Sequence, residues 1–131
     1  MPKPQAIEYA NASPAVRKIF DDIKATRKVD DVNNVWKYLA NDLPLLRRTW
    51  ADVKEVMGPG VLDPVVKEML YLAVSITNNC GYCVASHSAG AYKAGMTDAM
   101  FGELMSIVGM ANETNRLVTG YRVPIDPMFE Q

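Results

Sequence analysis

With 131 residues, 49% of them hydrophobic and 22% charged, the chain can bury one core, is too short for two ordinary domains, and has neither a disordered nor a fibrous composition. Fourteen basic against fifteen acidic residues leave a formal charge of -1, so no broad cationic field draws it to nucleic acid or anionic lipid. The start, Met1-Pro2-Lys3-Pro4, lacks the apolar run of a signal peptide, and the longest apolar run, near residues 69–76, falls short of the ~20 residues that span a bilayer; the expectation is one cytoplasmic domain over residues 1–131, with no nucleic-acid or membrane partner.

Residues 1–12 read as an extended arm with two prolines. Ser13-Pro14 then signals a helix start, and Val16, Ile19, Phe20 and Ile23 recur at the helical period, which predicts an amphipathic helix to about Arg27. Asn33 or Asn34 caps a short helix carrying Val35, Trp36 and Leu39. A third helix follows Asp42 and Pro44, with Leu45, Leu46, Trp50, Val53 and Met57 in register until Gly58-Pro59-Gly60 stops it. Asp63-Pro64 opens a fourth over residues 65–77, apolar except for Lys67, Glu68, Ser75 and Thr77, and such a helix is expected to be buried nearly all round.

Asn78-Asn79 breaks and recaps the chain. The fifth helix, from about Cys80 to Ala94, is built from small residues such as Ala85, Ser86, Ser88, Ala89, Gly90 and Ala91, which let helix axes approach closely. Gly95 ends it and Thr97 caps the last helical region, which carries Met100, Phe101, Leu104, Val108 and later Leu117 and Val118; Gly109 and Asn112 are expected to divide that region. Residues 122–131, with Pro124 and Pro127, form an extended tail. No segment alternates apolar with polar residues, so the class is all-α, with about six helices.

Both cysteines and the only histidine lie in Cys80-Gly81-Tyr82-Cys83-Val84-Ala85-Ser86-His87. Side chains three and four apart share a helix face, so all three line one edge of the fifth helix. Thiol chemistry needs thiolate, which the N-terminal end of a helix favours and a histidine one turn away promotes by taking the proton. Cys83 with His87 meets both conditions, and Cys80 is placed to trap oxidised Cys83 as a disulfide. In a reducing compartment a close cysteine pair is more often catalytic, redox-active or metal-binding than structural. Glu68 shares its helix side with Val65, Met69, Leu72 and Ile76. A carboxylate there is costly unless paired, and a tight hairpin would set it against the small-residue face as a proton carrier.

Taken singly, the cysteines can be small buried hydrophobes and Glu68 can reach solvent along its stem; the concentration of sulfur and imidazole at one point favours chemistry. A c-type haem site requires histidine directly after the second cysteine, where this chain has Val84, and a thioredoxin-type site requires a βαβ setting. Zinc could take Cys80, Cys83, His87 and Glu68, but structural zinc sites pair two well-separated ligand pairs. No metal or cofactor is expected. Trp36, Trp50 and the methionines read as packing residues.

These residues resemble the AhpD-like, or carboxymuconolactone decarboxylase-like, superfamily of small all-helical proteins. The match is Glu68, then Cys80-Gly81-Tyr82-Cys83 and His87, followed by Ala91 and Gly95, with a further likeness over residues 112–117. It covers residues 62–125 well and the first sixty only in helical character. The resemblance implies a helical domain with its site on a two-helix hairpin, a homo-oligomer (trimer or hexamer), and a thiol peroxidase or disulfide reductase activity. Carried over, Cys83 attacks a hydroperoxide substrate, Cys80 resolves the sulfenic acid to a disulfide, and Glu68 with His87 relays protons. An external dithiol, lipoyl-type in the best-known members, restores both thiols at Cys80. Peroxidase members can carry a second histidine between the cysteines, where this chain has Tyr82. Two other readings stand beside this one: a lactone decarboxylase, which does not need paired cysteines, and a non-enzymatic oligomeric or metal-binding protein.

Overall fold

Side-chain caps set several of the helix starts, though not the one expected from Asn33 or Asn34. Ser13 Oγ accepts from the Val16 N–H at 3.2 Å, with Pro14 in the first turn, and opens α1 (Pro14–Arg27). Asp42 does the same for α3 (Leu43–Met57) and Thr97 for α6 (Asp98–Tyr121), while α2 (Asn34–Leu39) and α4 (Pro64–Thr77) start after Asn33 and Asp63 without a side-chain cap bond. The fifth helix, α5, is Gly81–Lys93. Two short 3-10 turns, Tyr9–Asn11 and Pro127–Phe129, interrupt the otherwise irregular ends. This computed structural model describes residues 3–130; Met1 and Pro2 of the expected arm and Gln131 of the expected tail lie outside the described residues. The fold is all-α with six α-helices, and no strand occurs among the described residues.

The chain falls into two units, one ending at Gly58 and one beginning at Pro59. In the first, Phe20, Ile23 and Leu46 are fully buried, with Val16, Val32, Trp36 and Trp50 around them. Each such side chain contributes roughly 1.5–3 kcal/mol by leaving water. Trp36 and Trp50 meet edge to face at 5.4 Å, and Trp50 Nε1 donates to Asp22 Oδ2 at 2.7 Å. Lys37, nearly buried, reaches Asp31 at 2.7 Å and Glu8 at 2.8 Å, so its ammonium is paired rather than stranded.

In the second unit α4 packs along α5, and α6 packs on α4. Leu72 and Ala91 are fully buried, with Met96, Leu104 and Val108 completing the core. The expectation that α4 is buried nearly all round is not met. Only Leu72 and Ser75 are buried, and Val66, Leu70, Tyr71 and Val74 are exposed, because two helices of one unit cannot cover the whole circumference of a third. The last helical region is not divided either: α6 runs unbroken for 24 residues. Within it the Asn112 amide donates to the Val108 carbonyl one turn back and to Thr77 Oγ1 at 3.0 Å.

Candidate functional site

The turn between α4 and α5 fixes the first cysteine from both sides. Asn79 takes the left-handed conformation at φ 57°, which asparagine tolerates better than most residues. The Asn79 N–H then donates to the Ile76 carbonyl and the Cys80 N–H to the Ser75 carbonyl, at 3.1 and 3.0 Å, a paired closure of the α4 C-terminus. Cys80 is also the N-cap of α5, its sulfur accepting from the Cys83 N–H at 3.2 Å. One residue therefore ends one helix and starts the next, and both sulfurs sit at the positive end of the α5 dipole.

Cys80 and Cys83 are joined as a disulfide, with their Cα atoms 5.2 Å apart. One turn beyond Cys83, His87 Nδ1 lies 2.7 Å from Glu68 Oε2 across the hairpin, the short distance typical of a charge-assisted bond. His87 and Glu68 side chains are 17% and 23% exposed, so the pair is shielded without being closed to solvent. The structure thus brings Glu68 and His87 into contact and bonds Cys80 to Cys83, with both pairs on the α4–α5 hairpin.

Two residues complete this arrangement that pattern reading does not single out as site residues. The Tyr71 ring stacks on His87, centroids 3.6 Å apart and planes 20° from parallel. Its only sequence signal is its place three residues after Glu68, on the same side of α4. Gly90, three residues after His87, is where Glu68 rests: a Cβ built there would meet Glu68 Cδ and Oε2 at 2.9 Å. The small-residue run of α5 signals close helix approach, but not which residue makes it.

An apolar cleft of about 430 Å³ borders the cysteine turn, lined by Ile76, Asn79, Gly81, Val84, Phe101 and Met105. Among the described residues, no three His, Cys, Asp or Glu side chains are grouped to hold a metal ion, and no helix is long and apolar enough to cross a membrane.

The chain belongs to the carboxymuconolactone decarboxylase family, whose model matches residues 44–125. Within it the likeness is to the AhpD type. The crystal structure of an alkylhydroperoxidase AhpD core from Rhodospirillum rubrum is 48% identical and superposes with a TM-score of 0.94, covering 100% of this chain and 98% of that one. A comparison with curated proteins finds no significant match. The fold and the cysteine pair fit a function of the alkylhydroperoxidase type.

Proposed function

We propose that the chain is a thiol peroxidase that reduces hydroperoxides through a Cys80–Cys83 dithiol–disulfide cycle. The observation that carries this reading is the bonded cysteine pair at the start of α5 with the Glu68–His87 contact one turn further on. The likeness to a structure named for alkylhydroperoxidase supports it. A carboxylate only accepts hydrogen bonds, so the hydrogen between Glu68 and His87 sits on Nδ1 and leaves Nε2 to take a proton.

In the cycle, Cys83 passes its proton to His87 and the thiolate attacks the peroxide. A sulfur–oxygen bond forms, the oxygen–oxygen bond breaks, two electrons pass from sulfur, and the alkoxide leaves as alcohol with the proton from His87. Cys80 then attacks the sulfenic sulfur, hydroxide leaves with the Cys80 proton as water, and the disulfide closes. An external dithiol, lipoyl-type in this reading, attacks at Cys80 and releases Cys83 as thiolate. The donor's second thiol frees Cys80, so the donor leaves oxidised and the protein regains both thiols. The apolar cleft beside Gly81 and Val84 favours an organic hydroperoxide. No metal or prosthetic group enters the scheme, and a cytoplasmic setting supplies the reductant.

The reading includes a homo-oligomer, trimer or hexamer, in which a second copy covers the exposed apolar side chains of α4 and α6, among them Val66, Leu70, Val74, Ile107 and Met110. Stoichiometric hydroperoxide is expected to remove both titratable thiols of the reduced protein, and Cys83→Ser to abolish turnover. Undiminished turnover by Cys83→Ser sinks the assignment, and lactone decarboxylation surviving replacement of both cysteines points to the other family chemistry.

A further inference from the structure

We propose that Tyr71 is a positioning residue for His87: its ring holds the imidazole flat, so that Nδ1 stays on Glu68 and Nε2 remains the nitrogen that takes a proton. The role rests on the reading of His87 as proton acceptor. A histidine ring turns about a broad torsion. One hydrogen bond, Nδ1 to Glu68 Oε2 at 2.7 Å, holds an edge of the ring and leaves its plane free to pivot. The Tyr71 ring, 3.6 Å away between centroids and 20° from parallel, blocks that pivot from the face. Edge and face restraint come from the same side of α4, because Glu68 and Tyr71 are three residues apart on it. Stacking also keeps water from one face of the imidazole, which strengthens the bond to Glu68. Gly90 leaves room for the Glu68 carboxylate, so both restraints meet on one ring.

Tyr71 is 40% exposed and stands beside Leu70 and Val74 on a side of α4 rich in exposed apolar residues. A merely apolar role would be met by any side chain of similar bulk. A positioning role requires a flat ring, and the contact uses the ring rather than the hydroxyl.

The chain has one histidine, so protein labelled with nitrogen-15 histidine reports His87 alone. In the reduced protein with neutral imidazole, Nδ1 is expected to carry the hydrogen, Nε2 to be bare, and the ring protons to be displaced by the Tyr71 ring current. Tyr71→Phe keeps these signatures. Tyr71→Ala and the bulkier Tyr71→Leu lose the ring-current displacement and mix the two tautomers, with helical circular dichroism confirming that both fold. Misplacing a reacting group can cost up to ~10²-fold, so Tyr71→Ala and Tyr71→Leu are expected to slow peroxide-driven disulfide formation about tenfold and Tyr71→Phe less than about twofold. An unchanged His87 tautomer balance, read from the two ring nitrogen-15 shifts, in the Ala and Leu variants overturns the proposal, since the ring-current displacement is lost with the ring in either case. So does a slow His87→Gln variant alongside Tyr71→Leu at the parent rate. His87→Gln at the parent rate instead overturns the proton-acceptor reading on which the role depends.

Discussion

The two units bury apolar surface to different extents: the first buries three large side chains fully, and the second buries one large side chain, Leu72, fully and leaves long stretches of α4 and α6 exposed. The first gathers its largest side chains into one core, leaving Tyr38 and Val56 among its exposed ones: Phe20, Ile23 and Leu46 are fully buried, both tryptophans pack face to edge, and the nearby charges pair. The second leaves apolar side chains along α4 and α6 exposed, and the space beside Gly90 is occupied by the Glu68 carboxylate rather than a methyl group. The second unit has a polar contact where α4 meets α5 at Gly90, and the same carboxylate bonds the His87 imidazole. The contrast comes with its own reporters, since both tryptophans lie in the first unit and both cysteines and the single histidine in the second.

The largest effect expected from this contrast is on stability. Phe20→Ala opens a cavity in a core that cannot refill it and is expected to cost about 3–5 kcal/mol, read as a lower urea midpoint of tryptophan fluorescence. Val74, 58% exposed, is the matching test in the second unit: Val74→Ala should stay within about 0.5 kcal/mol in dilute protein. If copies associate through this side of α4, the Val74→Ala effect grows with protein concentration. Equal, concentration-independent losses in the two variants would erase the contrast. Next in size is Gly90→Ala. The three atoms nearest the added methyl all belong to the far end of the flexible Glu68 side chain, which can swing aside, and alanine is the better helix former by up to about 1 kcal/mol. The fold should persist while the Glu68–His87 bond breaks, slowing peroxide-driven disulfide formation about 10²-fold, the low end of what general acid–base catalysis contributes. A Gly90→Ala protein at the parent rate would show that the bond to Glu68 does not serve the reaction.

The features legible in the sequence are those set within a few residues. Ser13, Asp42 and Thr97 cap their helices through bonds to backbone N–H groups three residues on, so the residue type announces the structure. The break at Asn78-Asn79 and the edge shared by Cys80, Cys83 and His87 are local in the same sense. The exposed side of α4 was hidden because composition states how apolar a helix is, not how many neighbours it has. Within the unbroken α6, Asn112 meets Thr77, 35 residues away, and no spacing rule reaches that far. Glu68 could be picked out as an acid in an apolar stripe. That its carboxylate meets His87 over Gly90, with Tyr71 stacked on the ring, follows from the relative rotation of two helices, which the small-residue run permits but does not specify.

The smallest expected effect concerns acid. The Lys54 ammonium, and after it the Trp50 indole N–H, holds the Asp22 carboxyl below the usual carboxylate range; the Lys37 ammonium does the same for Asp31. Both aspartates belong to the first unit. A carboxyl whose folded pKa is depressed adds stability that is present above its unfolded value, ~3.9, and is lost as pH falls through the folded value. The Asp22 and Lys54 side chains are each 46% exposed, so solvent screening holds the contribution of the pair to under about 1 kcal/mol. Urea midpoints from tryptophan fluorescence should therefore fall for the parent protein as pH drops below about 4, and Asp22→Asn should flatten part of that slope while lowering the plateau at pH 7 by a similar amount. An unchanged slope in Asp22→Asn would move the acid sensitivity away from the Asp22–Trp50–Lys54 contact, and with it the claim that the first unit's charges are tied to its core.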